Sequence, residues 1–84
     1  MEGFLRKFTQ LNGVGVKITL EHRLFDKQEF YCEELKTVND NYRAGVIIKG
    51  RAIFLYKREV KMFKEQDGRY VISDGRLTII VEKL

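Results

Sequence analysis

The spacing of apolar residues along this chain changes from a helical period to a strand period early on. Phe4, Leu5, Phe8 and Leu11 fall at i, i+1, i+4 and i+7, which predicts one apolar stripe on a short helix over about residues 3–11. Glu2 suits the N-terminus of that helix, and Asn12-Gly13 tolerates a left-handed cap after it. Val14, Val16, Ile18 and Leu20 then alternate with Gly15, Lys17 and Thr19, the pattern of a half-buried strand. Glu21 to Gln28 is polar apart from Leu24 and Phe25 and predicts a turn. Glu29 to Val38 is rich in aromatic and β-branched residues. Its alternation slips at Glu33-Glu34, which predicts a strand with a bulge. Asn39-Asp40-Asn41 has the composition of a turn.

The second half of the chain reads as strands and turns. Gly45 to Lys49 is a nearly continuous apolar run, as in a strand buried on both faces, and Gly50-Arg51 ends it. From Ala52 onward, Phe54, Tyr56, Val60 and Met62 share one face, while Ile53, Leu55, Lys57 and Lys61 share the other. That predicts one long strand, or two bent into each other. Asp67-Gly68 and Asp74-Gly75 are hairpin signals, and Tyr70–Ile72 and Leu77–Val81 read as the strands they join. Gly-Arg recurs at residues 50, 68 and 75, but the spacings are unequal, so no repeat architecture follows. One helix followed by five to seven strands, with no crossover helices, predicts a mainly β fold with an antiparallel sheet. Closing most economically, it would form a small, strongly bent barrel with the helix over one end.

Length and composition narrow this further. The 84 residues suffice for a single domain, 1–84. The apolar fraction, 44%, argues against global disorder. A chain this short buries only about 60–65% of its unfolded surface, so a partner or self-association would add stability. Proline is absent, which excludes proline-rich ligand motifs. The single cysteine, Cys32, cannot form an internal disulfide and fits a reducing compartment. Met1 to Thr9 has no apolar run of signal-sequence type, and no segment approaches the ~20 apolar residues of a membrane span. The expectation is a soluble cytoplasmic protein.

Catalytic chemistry finds little support. One histidine, His22, and one cysteine cannot build a histidine–cysteine zinc site within the chain. His22 lies in Glu21-His22-Arg23, a solvated strand end or turn rather than part of a triad. Gly13-Val14-Gly15-Val16-Lys17 lacks the glycine spacing and the Ser/Thr of a phosphate loop. Glu33-Glu34 are adjacent and would point to opposite faces of a strand. No catalytic residue, metal or cofactor is expected, and the protein reads as a non-enzyme.

Charge is where the sequence speaks most directly. The net charge is +4, but residues 43–64 carry Arg43, Lys49, Arg51, Lys57, Arg58, Lys61 and Lys64 against Glu59 alone. Such a cluster attracts phosphates by counterion release. The plain alternative is a sheet edge kept soluble by lysine and arginine.

The order of elements resembles the Sm-like family, and specifically its bacterial Hfq branch. Phe4-Leu5-Arg6-Lys7-Phe8 resembles the helix that opens Hfq, and Val14–Leu20 its first strand. Asn39-Asp40-Asn41-Tyr42 is similar to a stretch in which an Asp and a polar residue precede an aromatic. Leu55-Tyr56-Lys57-Arg58-Glu59-Val60-Lys61-Met62-Phe63 resembles the late Tyr-Lys-His segment that continues into an apolar strand. The resemblance spans about residues 4–63, and residues 64–84 would be an added C-terminal β-hairpin that could cap a ring, block it or recruit another protein.

The resemblance implies a homo-oligomeric ring, six-membered in Hfq, that binds single-stranded, U-rich RNA. In the family the aromatic after the Asp turn stacks on a base, and Tyr42 matches it. Lys57 and Arg58 match the pair that contacts base edges and phosphate near the pore, and Asn41 matches a polar residue beside the same pocket. Stacking plus cations is the chemistry that unpaired bases call for. Several family features differ. Arg58 stands in place of histidine, and Met1 in place of the glutamine before the helix. Glu21-His22-Arg23 replaces an Asn-Gly-like turn, and no glycine lies between Phe25 and Phe30 to bend the second strand. The purine-reading face of the family is therefore not carried over. The rival expectation is a small barrel that binds protein as a scaffold subunit without RNA, including a phage-type accessory protein. A monomeric SH3-like domain is a third.

Overall fold

The computed structural model describes residues 1–84. The chain forms α1 (Glu2–Thr9), β1 (Val16–His22), β2 (Phe25–Cys32), β3 (Lys36–Asn39), β4 (Arg43–Ile48) and β5 (Arg51–Tyr56). A 3-10 turn, Lys57–Glu59, leads into β6 (Met62–Gln66), β7 (Arg69–Ser73) and β8 (Leu77–Lys83). All pairings are antiparallel. They make a five-stranded sheet, β2-β1-β8-β7-β6, and a three-stranded sheet, β3-β4-β5, and neither closes on itself. No helix is long and apolar enough to cross a membrane.

The two sheets follow one another through the corner at residues 33–35. The alternation that slips at Glu33-Glu34 marks this bend rather than a bulge. Leu35 drops into the core there, and its backbone exchanges hydrogen bonds with the segment after α1: Gly13 N–H donates to its carbonyl at 2.8 Å, and its own N–H donates to Val14 O at 3.0 Å. Asn12 Oδ1 accepts from Thr37 N at 2.8 Å and fastens the end of α1 to β3. The register irregularity of the first sheet lies instead between Leu20 and His22, where β1 turns into β2.

Turn chemistry explains the hairpins. Lys49-Gly50 and Asp67-Gly68 each hold two successive positive-φ residues between paired strand ends. That is the two-residue turn whose twist matches flanking strands, and glycine adopts it without a Cβ clash. Asp40 and Asp74 open two four-residue loops in the same way, each carboxylate accepting backbone N–H bonds two and three residues on.

One core holds the two sheets and the helix together. Phe4, Leu5 and Phe8 of α1 pack with Val16 and Ile18 of β1, Ala44 and Val46 of β4, Leu55 of β5, and Tyr70, Ile72, Ile79 and Val81 of the C-terminal hairpin. Each large side chain so buried is worth about 1.5–3 kcal/mol. The ion pairs are surface contacts such as Lys17–Glu29 at 2.8 Å, and pairs of that kind contribute little. Burial therefore decides the fold. The C-terminal segment, expected as an added hairpin, is integral to it: β8 lies between β1 and β7, with Ile79 and Val81 fully buried.

Candidate functional site

Asn41, Tyr42, Lys57 and Arg58, the residues singled out in the sequence, meet at one end of the β3-β4-β5 sheet. With Tyr56 they line an open pocket of about 220 Å³. Two chain segments build it, the β3–β4 turn and the exit of β5. They are tied by the Lys57 N–H, which donates to Tyr42 O at 2.8 Å. β4–β5 pairing sets Arg43 directly opposite Tyr56 and so fixes the register of the two segments.

Asp40 shapes the turn. Its Oδ1 accepts from Tyr42 N at 2.9 Å and Arg43 N at 2.7 Å, while Oδ2 accepts from Arg43 Nε at 2.8 Å. The Arg43 side chain, then the backbone N–H groups of Tyr42 and Arg43, hold the Asp40 carboxyl down at about 2. Asp40 is thus spent on the turn and on Arg43. It leaves Tyr42 projecting outward, 75% exposed, with Tyr56 beside it 48% exposed.

The electrostatics of the pocket are unopposed. Glu59, the one acid of the basic segment, turns to Arg76 at 3.9 Å. No carboxylate pairs with Lys57 or Arg58. The fold also divides the basic run seen in the sequence. Arg43, Lys57 and Arg58 gather at this end of the sheet, Lys49 in the β4–β5 turn and Arg51 just after it lie at the other, and Lys64 belongs to β6 of the other sheet. Two exposed aromatic rings, one side-chain amide and two unpaired cations can stack on a planar ligand and neutralise phosphate.

Tyr56, which the sequence does not single out as a site residue, is part of the pocket. Its exposure follows from strand alternation, since its neighbour Leu55 points into the core. Phe54, two residues earlier on the same face, meets Tyr56 edge-on with centroids 5.5 Å apart.

The largest cavity lies elsewhere. A groove of about 580 Å³ opens between β2 and the end of β4, floored by Ile18, Phe30 and Ile48. Its rim mixes Glu29 and Glu33 with Lys49, which stands 5.8 Å from the Phe30 centroid. That rim favours no charge, so the smaller basic pocket is the more specific feature. No group of three or more histidine, cysteine or carboxylate side chains is placed to hold a metal ion. The chain matches no protein-family model, no curated protein and no solved structure.

Proposed function

We propose that this protein binds single-stranded RNA without catalysis, at the pocket of Asn41, Tyr42, Tyr56, Lys57 and Arg58. One observation carries the reading: residues 15 positions apart converge on an open pocket with exposed rings and unpaired cations. Unpaired bases offer flat faces to such rings, and phosphates supply the matching charge. U-rich sequence suits a pocket this small.

The proposed class is the Sm-like small barrel. Two antiparallel sheets packed around one core, with the N-terminal helix against them, support it. The bend falls at residues 33–35, which accounts for a second strand that manages without a glycine. The proposed assembly is a homo-oligomeric ring, because β5 and β6 each pair on one side only and leave edges for a neighbouring copy. A ring would repeat the pocket and sum modest sites into useful affinity.

A second reading, a protein-binding scaffold, is favoured by Leu24, Phe25 and Tyr31, each more than 70% exposed at or along the edge strand β2. Native mass spectrometry of the untreated protein separates the two. A ring carrying RNA is the expected result. A nucleic-acid-free species that gains no mass on adding oligouridylate would give the site to the scaffold reading.

A further inference from the structure

We infer that the outer face of the β3-β4-β5 sheet is a second base-stacking subsite for single-stranded nucleic acid, centred on Arg43 and Phe54 and continuous with the Tyr42–Tyr56 pocket. It rests on the reading of that pocket as a nucleic-acid site.

Strand alternation separates the two faces of this sheet. Ala44, Val46 and Leu55 point into the core, and Ile53 packs against it. Their neighbours Ile47 and Phe54, with Val38 of β3, are half-buried yet take no part in the core, and they share the opposite face. Across that face, Val38 stands opposite Gly45, and Gly45 opposite Phe54. No side chain rises from Gly45, and none could. A Cβ there would lie 2.6 Å from Phe54 Cα and closer still to Ile53 O. Gly45 is itself buried, so the open part of the face is the Arg43 side chain lying over the Phe54 ring, close against the β5 backbone.

Arg43 completes the platform. Its guanidinium lies 5.0 Å from the Phe54 centroid. Asp40 Oδ2 holds it from the side, and 43% of the side chain remains exposed. A guanidinium plane held in this way is a stacking surface for a base, as an aromatic ring is. Tyr56, opposite Arg43 and edge-on to Phe54, links this plane to the pocket. The charge is of one sign. Lys36 and Arg43 are the ionisable strand residues of this face apart from Tyr56. Asp40, the acid beside Arg43, is committed to it. A polyanion with planar bases matches both features.

The test is binding of labelled uridine trimers and octamers to the parent, Arg43→Lys and Phe54→Leu. The octamer covers pocket and platform together, and the trimer fills fewer stacks. Lysine keeps the charge and the partner of Asp40 but has no plane. Each variant should weaken octamer binding at least about fivefold, weaken the trimer less and keep the parent's salt slope. Octamer binding equal to the parent in both variants would overturn the platform and leave the pocket standing. A parent that binds neither oligomer would overturn the pocket, and the platform with it. Self-association of the parent that Phe54→Leu abolishes, with octamer binding intact, would assign the face to a second copy. Photo-cross-linking of the unsubstituted protein to a 4-thiouridine octamer does not depend on either variant folding. Cross-links resolved by fragment sequencing to Phe54 or Arg43 themselves are expected, and cross-links confined to Tyr42, Tyr56 and Lys57–Arg58 would overturn the inference.

Discussion

The backbone N–H of Lys57 donates to the carbonyl of Tyr42 at 2.8 Å, and this bond joins the two halves of the basic pocket. It places a turn aromatic beside a strand-end cation at the open end of the β4–β5 hairpin. Because it is a main-chain bond, side-chain substitutions at either residue can remove chemistry while leaving the scaffold in place.

Asp40→Asn should lower stability and change its acid dependence. The folded Asp40 carboxyl titrates at about 2, below its ordinary value of 3.8. Stability from a depressed carboxyl is fully present above the ordinary value and is lost as pH falls through the folded one. Urea denaturation between about pH 5 and pH 2 should show a smaller stability loss in Asp40→Asn than in the parent. Identical pH profiles would contradict the assigned role of the turn.

Gly45→Ala should cost about 3 kcal/mol, the upper part of the range for overpacking. The obstacles are main-chain atoms of Ile53 and Phe54, which cannot rotate away. A small domain has only about 5–15 kcal/mol in total. The midpoint of urea denaturation should fall sharply, and an unchanged midpoint would mean that β4 and β5 do not approach this closely.

Ile79→Ala should destabilise by about 2–5 kcal/mol, as buried Ile→Ala changes do. Ile79 is fully buried on the central strand β8. A near-neutral effect in thermal denaturation would show residues 64–84 to be dispensable to the core.

Tyr42→Ala should leave stability within about 0.5 kcal/mol, because the ring is exposed and surface changes are usually that small. It should weaken oligouridylate binding by about 1–3 kcal/mol, the value of one stacked base. Loss of binding together with loss of the fold would assign Tyr42 a structural role instead.

Local signals in the sequence were reliable and non-local ones were silent. The amphipathic stripe from Phe4 to Leu11 and the Asp-Gly pairs at 67 and 74 each fix their own geometry, and the helix and hairpins stand where those residues put them. Glu21–Gln28 read as a turn because β2 is an edge strand, exposed at most positions and without clear alternation. β8 was read as an appendage because its pairing with β1 joins opposite ends of the chain. Its one trace is the run Ile79-Ile80-Val81, the signature of a strand buried on both faces. In the site, Tyr42, Asn41, Lys57 and Arg58 were legible from the resemblance. Phe54 and Arg43 were not, because their relation depends on the β4–β5 register and on the bare position at Gly45.

The most direct test of the RNA-binding reading is the salt dependence of oligouridylate binding to the parent and to Lys57→Ala/Arg58→Ala, followed by fluorescence anisotropy. Two phosphate contacts on a single strand contribute about 1.4 to the slope of log affinity against log salt. The account predicts steeply salt-sensitive binding by the parent, and by the double variant a weaker binding with a slope shallower by about that amount. Parent and variant binding with the same affinity and the same slope would contradict it.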